Sequence, residues 1–285
     1  MDLLYELLER PEPDSPVLLV ALKGWVDAGN GAEGALDVLR TDLRMRTVAR
    51  FDPDRLLDWR ARRPVMRLVD GVLSELSWDT TELSWARDRA GNDLLVLAGD
   101  EPDQGWLAFT SQVVDLMVDL GVRMMVGLGA YPAPAPHTRD PLLACSASSE
   151  ELAGHGFVRA NIEVPTGIQG MLERELARRG VPAIGLWAQV PHYVAAMPYP
   201  AASLALLEGA NRVAGLALPT GNLAENARRT RARIDELLAQ NPEHLGMLRQ
   251  LEEQADQIST AVQLQATSGD QLAAELERFL REQGE

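Results

Sequence analysis

A chain of 285 residues, 46% of them hydrophobic, is long and apolar enough to bury a full core as one large domain or as one domain with an appendage. Its 27 Lys and Arg stand against 42 Asp and Glu, a formal net charge of −15, which repels phosphate backbones and anionic lipid and argues against nucleic-acid or membrane partners. The single cysteine, Cys145, excludes an internal disulfide and a Cys-based zinc site, and its apolar setting, "PLLACSA", reads as a small core residue.

The N-terminus, "MDLLYELLERPEPDSP", has no basic leader region, and no stretch approaches the ~18 uninterrupted apolar residues of a membrane span, so a cytoplasmic location is expected. An apolar strand is predicted at Val17–Leu22, a helix from about Asn30 to Arg40 and a strand near Met45–Phe51, together a β-α-β unit. Alternation then takes over. "PVMRLVDGVLSELSW" holds Asp70-Gly71 between two runs, a hairpin signal, and "TELSWARD" adds an antiparallel piece, so this segment reads as an insertion or a sheet edge.

The α/β rhythm returns with the strand "NDLLVLAGD", the amphipathic helix "QGWLAFTSQVVDLMVDLG" closed by Gly121, and the strand "RMMVGLGA". A helix over "TGIQGMLERELARRG" is expected to run from a Thr166 cap to a Gly180 stop, before the strand "PAIGLWAQV" and a helix from about Ala201 to Leu216. Strands alternating with helices imply a mostly parallel sheet covered on both faces. From Thr220 no strand pattern survives. Leu248, Leu251, Ala255, Ile258 and Val262 follow 3-4-3-4 spacing, Asn241-Pro242 interrupts, and Leu272, Leu276, Phe279 and Leu280 give a last helix after "TSGD". The expected division is an α/β/α domain over 1–219 and a helical region over 220–285, either packed back on the domain or reaching out as an interaction arm.

Within the first unit, "GNGAEG" fits the dinucleotide fingerprint G-x-G-x-x-G, and Asp52 stands about 20 residues on, where a ribose-binding acid belongs. Yet Lys23 to Ala28 separate the strand from the glycines, and Glu33 puts a carboxylate where a diphosphate would sit. No NAD or NADP binding is expected. The glycines read instead as a turn at Gly29 and Gly31, with Asn30 as the helix cap and Gly34 for close packing. Lys23 is the only lysine in the chain, and with Trp25 and Asp27 it forms either a surface ion pair or a charged cluster at the carboxyl edge of the sheet.

Four motifs in order resemble the proteasome assembly chaperone 2 (PAC2) family, in its actinobacterial branch: "GWVDAG", "GDEPDQGWLAF" at Gly99–Phe109, "PHTRD" at Pro136–Asp140, and "PTGIQGMLERELARRGVPAIGLWAQVPHY" at Pro165–Tyr193. The likeness spans roughly Val17 to Leu218. It implies a three-layer α/β/α sandwich with a mostly parallel mixed sheet, related in fold to nucleoside phosphorylases, and a protein-binding or proteasome-assembly role. The alternative it leaves open is a phosphorylase-like or carboxylate-amine ligase-like enzyme acting on a small anion. A homo-oligomer, by fold analogy a trimer, and proteasome subunits are the expected partners. One departure is the ending "LREQGE", where archaeal chaperones of this kind carry a hydrophobic-Tyr-X tail.

The strand order gathers Lys23, Trp25, Asp27, Asp100, Glu101, His137, Arg139, Thr166, Gln169, His192 and Tyr193 at one edge as a candidate ligand- or partner-binding cleft. His137 with Arg139 offers cationic donors and the Thr166 loop a helix N-terminus, the equipment for a phosphate or carboxylate. The bland reading is a rigid Pro-rich loop, "YPAPAPHTRDP", whose His and Arg pair with neighbouring carboxylates. Asp100 and Glu101 read as a solvated turn or a paired carboxylate, and His192 as a packed residue or a base. No catalytic nucleophile, cofactor or metal is expected: the chain lacks G-x-S-x-G, P-loop, His-x-x-x-His and Cys-x-x-Cys patterns.

Overall fold

The computed structural model describes residues 2–239 and 243–262. Strand β2 (Val17–Lys23) is central, and its burial shows why: Val17, Leu19 and Ala21 face one core while Leu18 and Val20 face another. A strand apolar on both faces must be covered on both, and at ~1.5–3 kcal/mol per fully buried large aliphatic these two layers dominate stability. Helices α1 (Gly31–Asp42) and α6 (Pro200–Ala214) cover the first face, and α3 (Trp106–Asp119) and α5 (Ile168–Arg178) cover the second.

The sheet has eight strands. Its centre is parallel, with β7 (Asp93–Asp100), β2, β8 (Met124–Ala133) and β10 (Ala183–Pro191) side by side. Antiparallel strands flank it: β6 (Thr81–Arg87), β3 (Arg46–Phe51) and β1 (Tyr5–Leu7) on one side, β9 (Leu143–Ala147) on the other. The result is the mixed three-layer α/β/α arrangement expected from the alternating pattern. Short helices α2 (Pro53–Leu56) and α4 (Glu150–Ala153) sit in connections. Cys145 lies half-buried on the edge strand β9.

Two elements depart from the main sheet. "PVMRLVDGVLSELS" forms a separate hairpin, β4 (Val65–Val69) and β5 (Val72–Ser77), turning at Asp70-Gly71, and "TELSWAR" leaves it to become β6 of the main sheet. At the C-terminal side, α7 (Leu223–Leu238) lies against α6, and its Leu223 and Ile234 join the α1/α6 core. A further helix over 243–262, here α8, turns Leu248 and Leu251 inward and leaves Ile258 exposed. The helix expected around Leu272–Leu280 and the break at Asn241-Pro242 lie outside the described residues.

The glycines of "GNGAEG" are explained by this packing. Gly29 takes a left-handed φ of 64°, and a Cβ there would lie 2.7 Å from Tyr199 Cβ; at Gly31 it would lie 2.8 Å from Ala130 Cβ, and at Gly34 2.5 Å from Ser203 Oγ. They let α1 approach β8 and α6, so their spacing follows the helix interface.

Candidate functional site

At the carboxyl edge the loop after β2 is closed by its own side chains. Asp27 Oδ1 accepts the Ala32 N–H at 2.8 Å and Oδ2 the Glu33 N–H at 3.0 Å, so a carboxylate occupies the first turn of α1. Asn30, expected as the cap, sits in the left-handed region and makes no side-chain cap. Burial is the main influence on Asp27 and raises its pKa, against the pull of those N–H donors. Lys23 pairs with Glu33, and this hydrogen bond raises the lysine pKa.

Asp100 and Glu101 diverge, as adjacent residues leaving a strand do. Asp100 takes Arg62 Nη1 at 2.7 Å, while Arg62 Nη2 reaches Asp103 at 3.0 Å. Glu101 turns the other way and its Oε1 accepts the Ile168 N–H at the start of α5. Desolvation raises the pKa of both acids. Thr166, expected to cap α5, instead donates its hydroxyl to the Gly167 carbonyl at 3.2 Å; Gly167 is the N-cap residue, and Glu101 supplies the acceptor. Trp25 lies beside Gly167 with its ring half exposed.

The other residues of the predicted cleft form a second group. His137 is fully buried, with its backbone N–H donating to Tyr193 Oη at 2.9 Å. Its Nδ1 lies 2.8 Å from the same hydroxyl and its Nε2 2.9 Å from Asp235 Oδ1 on α7. The proton belongs on Nε2, facing the carboxylate, and Tyr193 closes the relay by donating to Nδ1. Arg139 makes a two-pronged pair with Asp256 of α8 at 2.8 and 3.0 Å and approaches Glu252 at 3.4 Å; Thr138 Oγ1 donates to Glu252 at 2.5 Å. His137 and Arg139 therefore hold the C-terminal helices. His192 is exposed and meets Tyr193 edge to face, with ring centroids 5.3 Å apart. Beneath Arg139, a cavity of about 260 Å³ opens between Tyr199, Gln189 and Ala255.

Gln169 belongs to neither group. It is buried on the inner face of α5, and its Nε2 has no acceptor among the described residues. One turn on, Glu173 is buried as well, takes the Ser146 hydroxyl at 2.9 Å, and has its pKa pushed up to about 7 by desolvation. Sequence reading overlooked Glu173, although Ile168, Leu172 and Leu176 form the buried stripe that Gln169 and Glu173 flank. It also overlooked Arg62, Asp235, Glu252 and Asp256, whose roles arise only from contacts distant in sequence.

Among the described residues, no group of three or more His, Cys, Asp and Glu is placed to hold a metal ion, and no helix is long and apolar enough to cross a membrane. The family model described as the PAC2 family matches residues 21–238. No curated protein matches the sequence. Among solved structures, a Corynebacterium glutamicum protein of unknown function is 34% identical with a TM-score of 0.83, over 91% of this chain and 99% of its own. Mycobacterium tuberculosis Rv2714, also of unknown function, is 35% identical with a TM-score of 0.83, over 92% and 96%. Mycobacterium tuberculosis Rv2125, described as a proteasome-assembly chaperone homologue, is 32% identical with a TM-score of 0.75, over 82% and 99%.

Proposed function

The chain belongs to the PAC2 family, and from that premise we propose that it is a protein-binding, proteasome-assembly-chaperone-like protein of the cytoplasm, with proteasome subunits as partners. The observation that carries this reading is the occupation of two helix N-termini at the carboxyl edge, those of α1 and α5, by the chain's own carboxylates, Asp27 and Glu101. A phosphate or carboxylate substrate would use those two N–H clusters, and each already has its anion. The cationic side chains beside them are engaged too: Lys23 with Glu33, and Arg62 with Asp100 and Asp103. The resemblance to Rv2125 points in the same direction.

Co-elution of the purified chain with actinobacterial proteasome α subunits at micromolar concentration tests the reading, with nucleoside phosphorolysis and ATP turnover assayed on the same sample. A complex without turnover is expected. Turnover that disappears in a Lys23→Ala, Arg139→Ala double variant would make the protein an enzyme.

A further inference from the structure

The cavity of about 260 Å³ lies between α8 and the rest of the molecule. Gln189 near the end of β10 and Tyr199, the residue before α6, form its floor, the segment after β8 its side, and Ala255 and Ser259 of α8 its roof. It is enclosed only while α8 is docked. Arg139 and Thr138 fasten that helix over it through Asp256 and Glu252.

Three polar groups of the wall have hydrogen bonds left to make. Tyr199 is only 3% exposed, yet its hydroxyl has no hydrogen-bond partner among the described residues, and burial pushes its pKa up to about 12, so it keeps its proton and can donate. Gln189 gives its Nε2 to Tyr131 Oη at 3.0 Å, which leaves its Oε1 as an acceptor without a partner among the described residues. The half-buried Ser259 hydroxyl is in the same position. A buried polar side chain without a partner is an exception in folded proteins, and one that lines a cavity points to a ligand.

Charge and size narrow the class of that ligand. The ionised groups of the wall are already matched, Arg139 with Asp256 at 2.8 Å and Asp140 with Arg231 at 3.1 Å, and the remainder is apolar, with Pro136, Pro141, Leu142 and Pro191 prominent. An ion buried there would find no free counter-charge. About 150 Å³ suffices for a benzene ring and drug-sized sites begin near ~300 Å³, so the cavity suits one substituted ring. We infer that the cavity beneath α8 binds an uncharged, ring-sized molecule bearing a hydroxyl or carboxamide, its ring against the proline wall and its polar group served by Tyr199 as donor and Gln189 as acceptor. Because the closed cavity includes the roof, binding there holds α8 down. The site is separate from the occupied ends of α1 and α5, so its failure would leave the protein-binding reading as it stands.

Ligand-observed NMR titration of the full chain with phenol, benzamide and 4-hydroxybenzamide tests this, with 4-hydroxybenzoate as the charged isostere. Saturable millimolar binding of 4-hydroxybenzamide is expected, with the benzoate weaker by at least about tenfold. Tyr199→Phe, which removes only the hydroxyl, should weaken the amide roughly threefold to tenfold. Ala255→Leu should abolish binding by filling the cavity from its roof. The bound amide should also slow amide hydrogen exchange across residues 243–262 and leave β2 unchanged. No saturable binding of any of the three neutral probes at about 10 mM, benzoate binding as tightly as the amide, or equal affinity in Tyr199→Phe overturns the inference. Binding without slower exchange in 243–262 overturns the link to α8. If Ala255→Leu itself loosens α8, Tyr199→Phe decides alone, since it lies on the floor and takes no hydrogen bond from that helix.

Discussion

Glu101, at the end of β7, places its carboxylate on the Ile168 N–H 67 residues away, so a strand end supplies the acceptor that opens α5. This one contact joins the β2/β7 edge to the layer on the opposite side of β8 and leaves no role for Thr166 as a cap. Replacing Glu101 by Ala orphans a buried N–H and is expected to cost about 1–2 kcal/mol of unfolding free energy. Glu101→Gln retains the acceptor and should recover most of that loss. Urea denaturation of the three proteins decides it, and equal losses in both variants would mean that the charge, not the acceptor, matters.

Asp27 does the same for α1, and removing it should expose what it covers. Asp27→Ala is expected to lower stability by about 1–2 kcal/mol and to leave the Ala32 and Glu33 N–H groups free. Millimolar phosphate or sulfate should then raise the melting temperature of the variant and not of wild type, because bound anion adds RT ln(1 + [L]/Kd) only where a seat exists. An equal response in both proteins would show that the helix N-terminus was never blocked.

The relay from Tyr193 through His137 to Asp235 pins α7 to the loop after β8. Tyr193→Phe strips a partner from the buried Nδ1 and from the His137 N–H together, and is expected to cost roughly 2–4 kcal/mol, since each stranded buried polar group costs ~1–3 kcal/mol. Asp235→Asn, which still offers a carbonyl oxygen to Nε2, should cost less. Chemical denaturation ranks them; a Tyr193→Phe protein as stable as wild type would show that the hydroxyl is dispensable.

What could be read from the sequence follows from range. Val17–Leu22 is an unbroken apolar run, so its strand and both covered faces were legible, and Asp70-Gly71 marked the hairpin because turn chemistry is local. The candidate cleft was not legible as one object. Lys23, Asp27 and Glu101 sit together at the carboxyl edge, but His137 and Arg139 are drawn to Asp235 and Asp256, about a hundred residues later, and no spacing rule encodes such partners. The short strands β1 and β9 escaped notice for a related reason: three or five residues carry too little periodicity to show, and neighbouring strands decide their conformation.

Arg139 fastens α8 through the exposed Asp256 and the half-buried Glu252, so its contribution should be visible locally rather than in global stability. Arg139→Ala is expected to raise amide hydrogen exchange across residues 243–262 while exchange in β2 and β8 stays as in wild type. Raised salt should imitate the substitution by screening the pairs. Unchanged exchange in that helix would assign its attachment to Leu248 and Leu251 alone.

Glu173 makes stability depend on pH in a direction opposite to that of a salt-bridged acid. Its folded pKa is pushed up to about 7 from an ordinary 4.5, because it lies buried on the inner face of α5 and this desolvation outweighs the opposing pull of its hydrogen bond from the Ser146 hydroxyl. Below pH 4.5 both folded and unfolded chains hold the proton and the group is neutral to stability. Between 4.5 and 7 the unfolded chain releases the proton while the folded chain retains it, so stability falls as pH rises, by roughly 3 kcal/mol once the pH is above both values. Glu173→Gln keeps the shape and a hydrogen-bonding amide but removes the ionisation. The difference in unfolding free energy between variant and wild type cancels the other titrating groups: it should be near zero around pH 4.5, grow in favour of the variant through neutrality, and level off above about pH 8. A difference that stays constant from pH 4.5 to 8 would mean that water reaches Glu173 and that burial does not hold its proton.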